Sequence, residues 1–314
     1  MMKRIKNKDR FAKRVKTKRL LLIAFLSLFL TPYSLVLAKP TKPAAPVLTT
    51  EQEQQFTYYW YAAKQAIQEE RYADAFVLMQ FCEKLKPNDA STLYYLGVMH
   101  LGLEQRESAL AYFERAYAAQ PKEMASDDLL EQMKRIYVVK ERWKDALRMQ
   151  DEIDAHNEFD AYSAMTRYRI YAMWGKPKQA IQVLDRYLET DPTNLRFLLF
   201  RLEIMEQTGA KQKELYAMYK RVLELEPYNL LVLNNYAYHM ATHKGDLKEA
   251  ERMSAITIRQ EPNNPVYLDT YGWILHLQGQ DELALFYLER ALQNAGKEVQ
   301  AEVLQHLKEV KHEK

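Results

Sequence analysis

The segment "YGWILHLQGQDELALFYLERAL", residues 271–292, decides the fold because it combines two apolar helical stretches with regularly placed small residues. Those small residues are Gly272, Ala284 and Ala291. The same order returns twice upstream, as Gly97, Ala109, Ala116 and as Ala63, Ala75, Cys82. Since the side chains at a helix–helix contact set the distance between the two axes, small residues at these positions predict closely crossing helices.

Five prolines fix the length of the repeated unit. Pro87, Pro121, Pro192, Pro227 and Pro262 are separated by 34, 71, 35 and 35 residues, and 71 residues hold two units with a small insertion. Each unit contains two apolar-periodic stretches of roughly a dozen residues, which predicts a pair of antiparallel helices. With 48% hydrophobic residues and only 8 Gly among 314 residues, the composition also favours helices over a turn-rich β fold.

Turn chemistry predicts where each unit begins and ends. A proline disfavours helical geometry in the residue before it, so the second helix of a unit should end just before each proline. Side chains able to cap the next helix follow four of the prolines, at Asp89, Asn194, Asn229 and Asn264. In the third unit, Ser126 followed by two aspartates takes that role.

This pattern resembles the tetratricopeptide repeat over nearly all of residues 56–296. The resemblance implies an all-α fold, a right-handed superhelical solenoid of about seven helix–turn–helix repeats, which we assign to an array at residues 51–296. An apolar stripe predicts a C-terminal capping helix at residues 297–314, and it consists of Val299, Val303, Leu307 and Val310. The repeats are 56–89, 90–123, 127–160, 161–194, 195–229, 230–264 and 265–296.

The small-residue columns of the family are filled unevenly in this chain. The first-helix column holds Ala63, Gly97, Ala237 and Gly272. The second-helix column holds Ala75, Ala109, Ala146, Ala180, Ala250 and Ala284. Lys134, Tyr168 and Leu202 stand in the first-helix column of the middle repeats, and Leu215 stands near the second-helix position. The pattern therefore does not determine how the helices cross there. Cys82 falls in the same column as Ala116 and Ala291, which predicts a small buried thiol rather than a nucleophile.

The N-terminal segment, residues 1–38, differs in kind from the rest of the chain. Residues 1–19 carry ten Lys or Arg against one Asp, and an uncharged stretch follows. This is typical of a signal peptide cleaved after Ala38, or of a membrane anchor over residues 20–38. Both alternatives predict an exported chain, either periplasmic or anchored in the inner membrane with the array outside the cytoplasm. Residues 39–50 contain three prolines and predict a linker.

Charge argues against a nucleic-acid partner. The whole chain has a net charge of +3, but residues 39–314 hold 35 Lys and Arg against 41 Asp and Glu, or −6. A nucleic-acid-binding module would need a basic stripe in its folded part. We therefore expect no nucleic acid among the partners, and contact with a membrane only through the N-terminal segment if that segment is not cleaved.

Motifs for catalysis, cofactors and metals are weak. None of the eight glycines belongs to a phosphate-binding loop, and a single cysteine excludes multi-cysteine metal sites. His239 and His243 lie four residues apart, but Met240 stands where a metalloprotease has glutamate, and no third ligand is evident. We expect no catalytic residue, no cofactor and no metal.

The stronger candidate is a binding surface. The family resemblance implies that the first helices line a concave face, and about half of its aromatic rings should fill space between repeats while the rest contact a partner. We predict a non-enzymatic protein–protein interaction scaffold of a bacterial cell envelope, binding a peptide or protein in this groove. The alternative is an enzyme or enzyme subunit whose site the sequence does not reveal. The predicted groove residues are Trp60, Tyr61, Tyr94, Tyr95, Tyr162, Arg169, Phe200, Asn234, Asn235, Tyr238 and Trp273.

Overall fold

The computed structural model describes residues 48–297 and 300–312. These residues form α-helices joined by short turns, with one short 3-10 helix at Lys122–Met124 and no strand among them. The α-helices are α1 (Thr50–Gln68), α2 (Tyr72–Leu85), α3 (Ala90–Gly102), α4 (Arg106–Ala118), α5 (Asp127–Val139), α6 (Trp143–His156), α7 (Ala161–Met173), α8 (Pro177–Leu188), α9 (Leu195–Gln207), α10 (Gln212–Leu225), α11 (Leu230–Thr242), α12 (Leu247–Gln260), α13 (Pro265–Leu277), α14 (Asp281–Asn294) and α15 (Gln300–His312).

Consecutive helices pack as seven pairs, from α1 with α2 to α13 with α14, and each pair packs against the next. The first helices of the last two pairs, α11 and α13, also contact each other directly. Helix α15 then packs against α13 and α14. The predicted all-α solenoid of seven helix pairs and a capping helix is confirmed.

Helix caps occur where the sequence predicts them. The side chains of Asp89, Asn194, Asn229 and Asn264 each accept a hydrogen bond from a backbone N–H in the first turn of the following helix. Ser126 does the same at the start of α5, through a bond of 3.3 Å. Because each cap satisfies an N–H group that has no partner within the helix, it fixes the residue at which the helix begins.

The turn inside each pair has a common backbone geometry. Each of these seven turns contains one residue with positive φ, between 55° and 79°. Glycine adopts this left-handed conformation without steric cost, whereas glutamate and lysine do not. The same backbone conformation therefore recurs once in every repeat. The residues are Glu70, Glu104, Glu141, Gly175, Gly209, Lys244 and Gly279.

Small residues lie at the contacts between crossing helices, as predicted. All the alanines of both columns are fully buried, and Cys82 is equally buried. A Cβ added to Gly97 would lie 2.5 Å from a ring carbon of Phe113, and one added to Gly272 would lie 2.8 Å from Cγ of Leu288. No larger side chain fits at either glycine without movement of its neighbour, so these two crossings are sterically specified.

The middle repeats use larger residues at the same positions. Lys134, Tyr168, Leu202 and Leu215 are all buried. Helices α9 and α10 approach each other less closely overall than α13 and α14 do. Larger side chains are therefore accommodated at these positions of the middle repeats.

The capping helix buries the stripe that predicts it. Val303, Leu307 and Val310 are buried and belong to one apolar cluster with residues of α13 and α14. Val299 lies outside the described residues, as do the predicted signal segment at residues 1–38 and most of the predicted linker at 39–50. Within the described part of the chain, no helix combines the length and the apolar character that a bilayer-spanning segment needs.

Candidate partner-binding face

The predicted groove residues all lie on first helices, but they differ in exposure. Tyr61, Tyr162 and Arg169 are exposed, whereas Asn234 is buried. The others are half-buried, namely Trp60, Tyr94, Tyr95, Phe200, Asn235, Tyr238 and Trp273. They form three groups along the array, at its beginning, in its middle and at its end.

At the beginning of the array, aromatic rings fill the contact between α1 and α3. The rings of Trp60 and Tyr95 meet edge to face with centroids 5.6 Å apart, and Tyr94 packs against Tyr95 at 5.5 Å. The Lys64 ammonium donates a hydrogen bond to the Tyr95 hydroxyl. Tyr61, in contrast, is 69% exposed. It is therefore free for contact with a partner.

In the middle of the array, only part of the predicted group faces solvent. Tyr162 is 59% exposed, and the Lys134 ammonium lies 5.7 Å from the centre of its ring. Arg169 is exposed as well. Phe200 packs against Tyr168 with centroids 4.8 Å apart, so it joins two neighbouring repeats.

At the end of the array, three predicted residues converge on one cavity of about 400 Å³. Asn234, Asn235 and Tyr238 of α11 line it together with residues of α9, α10, α13 and α15. Trp273 is not among the lining residues. Its ring stacks on His306 of α15 with centroids 4.3 Å apart. Trp273 therefore helps to hold α15 against α13, next to the cavity.

Three carboxylates line this cavity, and hydrogen bonds position each of them. The Tyr219 hydroxyl donates to Glu206 at 2.5 Å, and Asn235 Nδ2 donates to the same carboxylate at 3.3 Å. Asp269 is 5% exposed and lies 2.9 Å from Nδ1 of His306. Glu302 accepts a bond of 3.4 Å from the hydroxyl of Tyr238.

The acidic surroundings affect the tyrosines and the histidine beside them. Burial raises the pKa of Tyr238 to about 12, and the charges of Glu302 and Asp269 act in the same direction. Burial also lowers the pKa of His239, assisted by the neighbouring His243. The rings of these two histidines stack with centroids 3.9 Å apart. Since His239 is shifted toward its neutral form, it adds little positive charge to offset the carboxylates.

Sequence reasoning missed the groups contributed by α9, α13 and α15. Among the described residues, the ligand-type atoms of Asp269, Glu302 and His306 lie within 4.8 Å of one another. One signal was present, because Asp269 is the only acidic residue of the mostly apolar segment "PVYLDTYGWILHL". Its partners come from the capping helix, whose register against α13 does not follow from the repeat pattern.

Comparison with known proteins gives matches only at the level of structure. A scan of known protein families finds no match to this chain, and no curated protein matches it either. The C-terminal part of a TPR repeat-containing protein from Cytophaga hutchinsonii is 16% identical with a TM-score of 0.52, covering 78% of this chain and 97% of that one. A tetratricopeptide repeat protein from Parabacteroides merdae is 16% identical with a TM-score of 0.42, covering 81% and 99%.

A third structure is YrrB, described as a TPR protein with an unusual peptide-binding site, which is 16% identical with a TM-score of 0.32 and covers 72% of this chain and 97% of its own. Of these three structures, the Cytophaga protein superposes closely enough to support a conclusion about the fold of this chain. It shows that the chain has the fold of a tetratricopeptide-repeat array, as the sequence pattern predicts.

Proposed function

We propose that this chain is a non-enzymatic protein-interaction scaffold of a bacterial cell envelope, which holds a peptide or protein segment against the face formed by its first helices. The observation that carries the proposal is the cavity at the end of the array, where three predicted groove residues meet. A cavity on the first helices, with a few polar groups converging on it, is the usual form of a ligand site.

The exposed aromatic residues support an extended contact along this face. Tyr61 on α1 and Tyr162 on α7 present large rings that do not fill the core. Tyrosine gives contact area at low entropic cost and is enriched at binding hot spots. A partner segment would therefore reach the cavity at one end of the array and the exposed rings on earlier repeats.

A capture experiment with matched tyrosine variants tests the binding face. Full-length chain is immobilised, exposed to envelope extract, and the captured proteins are quantified by mass spectrometry. Replacing Tyr61 and Tyr162 by Ser should weaken capture of a specific partner by roughly 10-fold or more, the effect of losing hot-spot contacts. The control replaces Tyr72 and Tyr228, which are 60% and 73% exposed but lie outside the first helices. Equal losses in both pairs would refute the proposed face.

The cellular location needs its own test. The proposal of an envelope protein is supported by the ten basic residues that precede the uncharged segment. Mass spectrometry of the native protein should find either a mature N-terminus at Lys39 or an intact N-terminal segment in the membrane fraction. Full-length protein recovered from the cytosol would contradict both forms of the proposal.

A further inference from the structure

The cavity between α11, α13 and α15 has a one-sided charge. Its lining includes the carboxylates of Glu206, Asp269 and Glu302 but no lysine or arginine. Within residues 48–297 and 300–312, none of these three carboxylates forms a salt bridge with a lysine or arginine. Their protein partners are tyrosine, asparagine and histidine side chains. Carboxylates in a partly enclosed site favour a cationic ligand because the low local dielectric strengthens the attraction.

A second observation points to a hydrogen-bond donor on the ligand. Asn234 is 3% exposed and lines the same cavity, and its Oδ1 has no hydrogen-bond partner. Buried polar atoms in folded proteins almost always have a partner, so an unpaired acceptor in the wall of a cavity calls for an explanation. The oxygen itself is buried, so an N–H group of a bound ligand would supply the missing donor once the Asn234 amide turns toward the cavity.

We propose that this cavity binds the guanidinium group of an arginine side chain carried by the partner. The inference rests on the proposed function, since it assigns one residue of the segment that the array would hold. Guanidinium presents several N–H donors in a planar fork, which suits a site with three carboxylates and an amide oxygen. The ring of Tyr238 in the cavity wall offers a further favourable contact for a delocalised cation.

The size of the cavity favours an organic cation over a metal ion. Its volume of about 400 Å³ is more than ten times the roughly 30 Å³ that one water molecule occupies in the liquid. The converging atoms of Asp269, Glu302 and His306 could approach a metal at one edge of this space. However, Glu206 and Asn234 are not among the residues that converge there, whereas an arginine side chain is large enough to contact more of the lining.

The test compares an arginine probe with its neutral isostere. Full-length chain is titrated with N-acetyl-arginine amide and with N-acetyl-citrulline amide, and binding is followed by NMR through the indole signal of Trp273. We expect the arginine probe to bind at least 10-fold more tightly. Glu302→Gln and Glu206→Gln should each weaken it by 5-fold or more. The matched control is Glu224→Gln, which removes the same charge from an exposed position on α10 outside the cavity and should leave binding unchanged.

Several outcomes would overturn the assignment. They are equal or undetectable binding of the two probes, a loss with Glu224→Gln as large as with Glu302→Gln, and saturable binding of Mg²⁺ or Zn²⁺ that Glu302→Gln abolishes while the arginine probe shows no preference. Thermal melts of each variant establish that the fold is retained.

The failure of this proposal is distinguishable from failure of the scaffold proposal. If a partner is captured through Tyr61 and Tyr162 but the arginine probe does not bind, only the cavity assignment is wrong. If the probe binds with the expected dependence on Glu206 and Glu302, but no partner is captured, the cavity is a guanidinium site and the scaffold proposal fails.

Discussion

The last two repeats and the third and fourth repeats solve the same packing problem with different chemistry. In residues 230–294, alanine and glycine occupy the crossing positions, and helices touch through small apolar surfaces. In residues 127–188, Lys134 and Tyr168 replace the small first-helix residues, and a buried hydrogen bond between Lys134 and Gln150 joins α5 to α6. Repeats of the same length and with the same turns can therefore have different residues packed between their helices.

The middle repeats rely on a hydrogen-bonded chain of side chains. The Lys134 ammonium donates to Gln150 Oε1 at 2.6 Å, and Gln150 Nε2 donates to Asp154 at 2.6 Å. Asp154 also accepts from Ser163 Oγ at 2.7 Å and from Arg167 Nε at 2.8 Å. Gln150 is fully buried, so its polar atoms depend on these hydrogen bonds. The network therefore fixes the relative positions of α5, α6 and α7 only while every side chain in it is present.

The largest expected effect is the loss of Asp154, because three donors converge on its carboxylate. Its side chain is 14% exposed, and removing one member of a buried charged pair usually costs about 3 to 5 kcal/mol. Arg167 keeps a second contact with Asp151 at 2.7 Å, so we expect about 3 kcal/mol for Asp154→Ala. Urea denaturation followed by hydrogen exchange would locate the loss to α5–α8.

The control for this prediction is the same substitution at an exposed pair. Asp185 lies 2.5 Å from Arg201, but its side chain is 45% exposed. Exposed ion pairs contribute roughly 0 to 1 kcal/mol, so Asp185→Ala should have a small effect. Similar losses for both variants would mean that the middle repeats do not depend on the polar chain more than on any surface pair.

A smaller effect is expected at the glycine crossing of the last repeat. In Gly272→Ala, the new Cβ would lie 2.8 Å from Leu288 Cγ and 3.1 Å from the carbonyl oxygen of Ala284. Overpacking of this kind costs roughly 1 to 3 kcal/mol, and the better helix propensity of alanine returns about 1 kcal/mol. We expect a net loss of about 1 kcal/mol in the free energy of unfolding.

Gly102→Ala provides the matched control for that substitution. Gly102 ends α3, and a Cβ there would meet no atom within 4 Å. The substitution should therefore be neutral or stabilising by up to about 1 kcal/mol. If both variants changed the midpoint of urea denaturation equally, the crossing at Gly272 would not be sterically limited, and the contrast between the two regions would lose its basis.

The sequence predicts the helix caps and the buried small residues well because both depend on patterns within a few residues. The caps at Asp89 and Ser126, and the buried column that includes Ala284, follow from turn chemistry and periodicity alone. The cavity could not be predicted in the same way. It requires Asp269 of α13 and His306 of α15 to meet across 37 residues of sequence, and the packing of α15 is set by tertiary contacts rather than by the repeat. For the same reason, the sequence shows that Lys134 departs from the repeat pattern, but it does not show that Gln150 of α6 accepts a hydrogen bond from its ammonium group.

The smallest expected effect concerns His239, a half-buried polar residue of the last two repeats. Its Nδ1 is buried without a partner, and desolvation followed by the charge of His243 lowers its pKa below the ordinary value of about 6.5. The unfolded chain therefore takes up the proton at a higher pH than the folded chain does. As a result, the stabilising contribution of neutral His239 is fully present above about pH 6.5 and is lost as the pH falls through the window below it.

We expect unfolding midpoints to decrease on acidification in this window, and the decrease to be smaller in His239→Gln. NMR titration of the imidazole gives an independent measurement. A titration midpoint at or above about 6.5 would contradict the prediction and would mean that a protonated histidine is accommodated next to the cavity, where it would weaken the attraction for a cation.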